Sequence, residues 1–133
     1  MENIDIIVRL VLATLSGGLI GLEREVVHKP AGVRTHMLVC IGAALFILVT
    51  IQELPQEAAR IIAGVATGVG FLGAGTIFKA QKDVHGLTTA ASIWTVAAVG
   101  LAIGAGYYLM SLIAVILILV VLQLNKFEIF KNL

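Results

Sequence analysis

The feature that most constrains this chain is the stretch from Gly86 to Leu124, which contains no charged residue. At 1.5 Å per residue, one helix of that length would run to nearly twice the roughly 30 Å hydrocarbon thickness of a bilayer. The stretch must therefore fold back once. Gly104-Ala105-Gly106-Tyr107-Tyr108 is the natural reversal, with tyrosines suited to a membrane–water interface. Composition agrees: 59% of the 133 residues are apolar, 13% are charged, and the mean hydropathy is +1.05. Lipid is the solvent such a chain requires.

The remaining sequence divides into three further spans. The first runs from about Ile4 to Leu22 and the second from about Thr35 to Ile51. They are separated by the charged segment from Glu23 to Arg34, which Pro30 and Gly32 mark as a turn. The third covers about Ala58 to Phe78, after a break at Glu53-Leu54-Pro55-Gln56-Glu57, and the polar stretch Lys79 to His85 ends it. With the reversal at Gly104–Tyr108, the fifth span runs from Met110 to Leu122. The expectation is an all-α polytopic bundle of about five transmembrane helices forming a single domain over residues 1–133. An odd helix number with no visible internal repeat argues against a simple inverted-repeat transporter.

Lysine and arginine bias short loops to the cytoplasm. Arg24, Lys29, Arg34, Lys79, Lys82, Lys126 and Lys131 fall at one end of the five spans, against Arg60 and Arg9 at the other. This places the N-terminus outside and the C-terminus in the cytoplasm. The N-terminal segment has no basic region or cleavage site of a secretory signal, and it reads as a retained helix. A formal net charge of +1 gives no basic field for nucleic acid. The single cysteine, Cys40, lies in an apolar run and reads as a packed thiol. There is no Walker A sequence, no aspartyl-phosphate motif and no defensible Ser-His-Asp arrangement, so no enzyme is expected. His28, His36 and His85 have no spacing that assembles a metal site and read as structural.

Three polar or small-residue patterns stand out. On the first helix, Glu2, Arg9, Ser16 and Glu23 recur every seven residues with Asp5 four before Arg9, a face expected to point into the bundle. On the third, Gly68, Gly70 and Gly73 match G-x-G-x-x-G, but inside an apolar run of membrane length they cannot form the strand-to-helix turn of a dinucleotide site. Close helix packing, within the monomer or across a homodimer, accounts better for Gly64, Gly68, Gly70, Gly73 and Gly75. The same holds for the small-xxx-small pairs Gly17/Gly21 and Gly100/Gly104. On the fourth, Thr88, Ser92 and Thr95 form a hydroxyl stripe that can cap the helix or bond to the third helix, with Trp94 as packing bulk.

Four ordered segments carry a resemblance. Gly21-Leu22-Glu23-Arg24-Glu25, Gly32-Val33-Arg34-Thr35-His36, Gly70-Phe71-Leu72-Gly73-Ala74-Gly75 and Gly86-Leu87-Thr88-Thr89-Ala90-Ala91-Ser92-Ile93-Trp94 together resemble the MgtC/SapB family. The resemblance covers nearly the whole chain and points to a short, SapB-like membrane domain. It implies a bacterial inner-membrane protein associated with adaptation to low magnesium and, in pathogens, with survival inside macrophages. It also implies a regulatory role toward other membrane machines, of which the F-type ATP synthase is one. The motif residues it marks are Glu23, Arg24, Arg34, Thr35, His36, Thr88, Thr89, Ser92 and Trp94. Longer members continue into a cytoplasmic ACT-like domain, whereas this sequence stops at Leu133; family members often carry arginine where His85 stands.

Two functions follow as expectations. The first is an accessory or regulatory protein that binds other membrane proteins and forms a homodimer through its small-residue faces. The second is a transporter or channel for Mg²⁺ or another small solute, using Asp5, Arg9, Glu23, Arg34, Thr88 and Ser92 as a polar path. Asp5 and Glu23 are the weak candidates for a metal, and no cofactor is expected, with Mg²⁺ a weak candidate. A bundle packed dry between Asp5 and Glu23 counts against transport.

Overall fold

The computed structural model describes residues 1–127. Lys131 lies outside them. The elements are α1 (Asn3–Val26), α2 (Val33–Glu53), α3 (Ala58–Ala74), β1 (Phe78–Ala80), β2 (Asp83–His85), α4 (Leu87–Gly104) and α5 (Tyr108–Gln123), with a 3₁₀ turn at Pro55–Glu57 leading into α3. Among the described residues, five helices, counted with their flanking 3₁₀ turns, are long and apolar enough to cross a membrane.

The reversals use local chemistry. After α4, Gly106 takes φ +88°, Tyr107 N–H donates to the Ala102 carbonyl and Gly106 N–H to the Ile103 carbonyl. This pair of bonds satisfies helix-end acceptors at the point where only a left-handed residue turns the chain. The end of α1 has the same arrangement around His28, at φ +58°, with Lys29 N–H donating to the Arg24 carbonyl and His28 N–H to the Glu25 carbonyl.

The centre of the bundle is α2. Its faces lie against α1 and α4, and both neighbours present glycine. A methyl group on Gly17 would stand 2.6 Å from the His36 carbonyl oxygen and 2.9 Å from Cys40 Cβ, and one on Gly21 would stand 2.7 Å from Val33 Cα. Across α2, a methyl group on Gly100 would collide with the Cys40 carbonyl and one on Gly104 with Ile47 and Ala44. Fully buried Cys40 is thus enclosed between two glycine faces. In lipid, where apolar burial gives helices no reason to prefer each other, such close approach is a main source of association energy.

The third span ends sooner than its hydropathy suggests. Ala74 is its last helical residue, and Phe78, expected within the span, begins an antiparallel hairpin with Phe78 opposite His85. Gly86, at φ +88°, brings its backbone against the Thr76 carbonyl so closely that no side chain fits. The Phe78 and His85 rings stack at 5.3 Å between centroids. The stretch from Phe78 to His85 therefore forms an ordered two-stranded element rather than an irregular loop. The fifth helix buries only Ser111 and Val115, as expected of a helix at the edge of the bundle.

Candidate functional site

Polar side chains gather at the two ends of the bundle, with apolar packing between them. At the end where α1 begins, Arg9 Nε and Nη2 donate to the two carboxylate oxygens of Asp5 at 3.2 and 2.8 Å. Arg9 Nη1 donates to the Gly104 carbonyl at 2.8 Å. The Tyr108 hydroxyl donates to Asp5 at 3.2 Å, and its ring lies 5.9 Å from the guanidinium carbon. All three Arg9 nitrogens are used, so this cluster is a closed clasp tying α1 to the α4–α5 reversal. Glu2 precedes the helix and is exposed, while Arg9 and Ser16 are half-buried and Glu23 is buried, so the expected polar face turns inward only from Arg9 onward.

Between the ends, Ala13, Ile20, Cys40, Ala44, Val96, Val99, Ile103 and Val115 form one apolar core. Asp5 and Glu23 stand about 27 Å apart along α1, at 1.5 Å per residue, too far to share an ion. Among the described residues no group of three His, Cys, Asp or Glu comes together. Cavities of about 740 and 590 Å³ share Gly42 and Phe46 in the furrow between α2 and α3, and one of about 250 Å³ lies between α4 and α5. Of the expected polar path, Thr88 and Ser92 line the smallest of the three, and Asp5, Arg9, Glu23 and Arg34 line none of them.

The other end joins three of the four sequence motifs. His36, on the first turn of α2, is fully buried. Its Nδ1 lies 2.9 Å from the Gly32 carbonyl and its Nε2 lies 2.9 Å from Ser92 Oγ on α4. Ser92 Oγ is also 2.7 Å from the carbonyl of buried Thr89. A carbonyl only accepts, so Nδ1 carries a proton, and a neutral His36 then presents Nε2 as an acceptor. Ser92 has one hydroxyl proton for two acceptors, Nε2 and the Thr89 carbonyl. Neutral His36 draws that proton to itself. Protonated His36 donates to Ser92, whose hydroxyl then turns to Thr89.

At the same end of the bundle, Arg24 is 3% exposed and Glu23 is 9% exposed. Arg24 Nη1 donates to Glu23 Oε2 at 3.3 Å. Arg24 Nε and Nη2 are buried without an acceptor among the described residues. A buried donor left unsatisfied costs about 1–3 kcal/mol, more when charged.

The structure separates the other motif residues. Arg34 is exposed, Thr35 is half-buried and Thr88 is exposed. The hydroxyl stripe of α4 does not reach α3: Ser92 turns to α2, and Thr95 donates to the Ser92 carbonyl. The bond to α3 comes from Trp94, whose Nε1 donates to the Ala66 carbonyl at 3.2 Å. Nor does any side chain cap α4, since Gly86 holds the cap position. On α3, Gly73 packs on Ala90 and Gly75 meets only its own helix, whereas Gly64, Gly68 and Gly70 have nothing within 4 Å. The His36–Ser92 pair escaped sequence reasoning because a lone histidine near a helix end gives no sign of a partner 56 positions away.

Comparison with known proteins agrees with the assembled motifs. The model of the MgtC family matches residues 10–128. YhiD of Escherichia coli K12 is 41% identical over 128 residues, covering 90% of this chain and 60% of that protein. MgtC of Salmonella typhimurium LT2 is 44% identical over 113 residues, covering 85% of this chain and 49% of that protein. MgtC of Brucella abortus is 44% identical over 110 residues, covering 82% and 46%. The chain thus spans about half to three-fifths of the length of these relatives. No solved structure matches it significantly. With five helices of membrane-crossing character and a family match over most of its length, the chain is a multi-pass bacterial membrane protein that belongs to the MgtC family.

Proposed function

We propose that the chain is an accessory or regulatory protein of the bacterial inner membrane, serving magnesium homeostasis or adaptation to low magnesium and virulence, and acting by binding other membrane proteins. One observation carries this reading. The bundle is filled by apolar side chains between its polar ends, so Asp5, Arg9 and Glu23 do not line a common path, while α3 and α5 turn most of their surface outward. A magnesium link is supported by the relatives, since YhiD carries a provisional magnesium-transporter name. In this reading the N-terminus is outside and the end bearing Arg24 and His36 is cytoplasmic, with Arg24, Lys29, Arg34, Lys79, Lys82 and Lys126 on the positive side. A second copy packs on the open Gly64/Gly68 face of α3, where helices in lipid can approach closely.

The test is reconstitution into liposomes holding a Mg²⁺-sensitive dye. The expected flux equals that of protein-free vesicles, and a saturable Mg²⁺ flux would transfer the protein to the transporter class. Cysteine cross-linking at position 68 in the same vesicles is expected to give dimers, while cross-linking at position 100 is not.

A further inference from the structure

The two nitrogens of Arg24 that lack an acceptor are not an arbitrary pair. Nη1, the nitrogen that Glu23 engages, lies on the Cδ side of the guanidinium, whereas Nε–H and Nη2–H point outward from the opposite edge. That edge is a planar two-donor fork matched to two oxygens of one oxyanion, such as a phosphate. Glu23 cannot fill it, being held to the other nitrogen at 3.3 Å.

The surroundings favour an anion. The helices α2 and α4 both begin at this end of the bundle. Their cap residues, Gly32 and Gly86, supply no side-chain acceptor, and neither first turn contains an acid. The positive ends of two helix dipoles therefore face this end of the bundle, that of α2 with the Glu25 carboxylate beside its cap residue Gly32 and that of α4 with no acid in its own first turn. The two helix starts are joined through His36 in the first turn of α2 and Ser92 in the second turn of α4, the latter bonded back to Thr89. Arg24 lies in the last turn of α1, two residues before its end, which sets it near the edge of the roughly 30 Å hydrocarbon layer when α1 spans it.

We infer that Arg24 is the anchor of a phosphate-binding site at this end of the bundle, receiving a phosphate group side-on through Nε and Nη2. The phosphate comes from an anionic phospholipid headgroup or from free inorganic phosphate. The fork is shielded in the conformation described, so occupancy involves a local opening.

The experiment uses the full chain purified in a neutral detergent. Thermal unfolding is followed with inorganic phosphate against chloride at matched ionic strength. Native mass spectrometry follows retention of phosphatidylglycerol against phosphatidylcholine. A saturable rise of Tm with phosphate identifies the free anion as the source. One retained phosphatidylglycerol per chain without that rise identifies the headgroup. In either case Arg24→Lys, which keeps the charge and loses the fork, weakens the effect about tenfold or more. Glu23→Gln, which removes the neighbouring negative charge, strengthens it, and this variant decides the matter if Arg24→Lys does not fold. The inference is overturned if neither probe is retained, as expected were water or a partner protein's carboxylate the acceptor. It is equally overturned if Arg24→Lys retains the probe as the native chain does, or if Glu23→Gln leaves retention unchanged.

Discussion

Glycines of the same spacing meet opposite fates in two regions of this bundle. Where α1 and α4 close on α2, Gly17, Gly21, Gly100 and Gly104 sit so near the opposing backbone that even a methyl group displaces something. On α3, Gly64, Gly68 and Gly70 look onto open space, and a furrow separates that helix from α2. The first region has a filled interior with a polar clasp at each end. The second is held by Gly73 against Ala90, by the bond from Trp94 to Ala66 and by the turn at Pro55–Glu57. A small-residue pattern therefore marks a surface built for close approach without saying which helix approaches, or from which chain.

The contrast can be broken by substitution, with unfolding of the detergent-solubilised protein as the measurement. The largest effect is expected for Gly100→Leu, which drives a side chain into the Cys40 backbone and costs about 3 kcal/mol or more, enough to remove the folded species in size-exclusion analysis. Next comes Arg9→Lys, which cannot reproduce the bond to the Gly104 carbonyl together with the two-oxygen grip on Asp5. Loss of charge-assisted bonds of this kind costs about 1.5–3 kcal/mol, and a full return of Tm on restoring neutral packing with Met would show that the clasp is dispensable.

His36→Leu leaves the Gly32 carbonyl and the Ser92 hydroxyl without their shared partner, an expected loss of about 1–2 kcal/mol that His36→Leu combined with Ser92→Ala partly recovers. Strict additivity of the two changes would mean that the pair is not coupled. The smallest effect is expected for Gly68→Leu, within about 0.5 kcal/mol of the native monomer because nothing opposes the new side chain, yet with loss of the cross-linked dimer. If Gly68→Leu unfolded the monomer as Gly100→Leu does, the distinction between the two regions would fail.

Much of this architecture was legible from residues alone. The uncharged stretch from Gly86 to Leu124 required a reversal, and Gly106 supplies it. Asp5 and Arg9, four apart, lie on one helix face and do pair. The hairpin from Phe78 to His85 was not legible, because Lys79, Gln81, Lys82 and Asp83 are the residues of any polar loop, and its closure rests on Gly86 meeting the Thr76 carbonyl. Trp94 offered no sign that its indole, rather than the neighbouring hydroxyls, reaches α3.

The sequence by itself determined the number of spans and the end of the bundle at which each charge lies, because crossing a hydrocarbon layer is a local matter of length and transfer cost along one segment. Only the tertiary structure decided which glycines are enclosed, that His36 meets Ser92, and that one edge of Arg24 is left without a protein acceptor. The physical reason is that lipid and protein interior are equally apolar. Hydropathy therefore carries no difference between a helix face turned to lipid and one turned to a neighbour, and the pairing of helices is settled by shape and hydrogen bonds between residues distant in the chain.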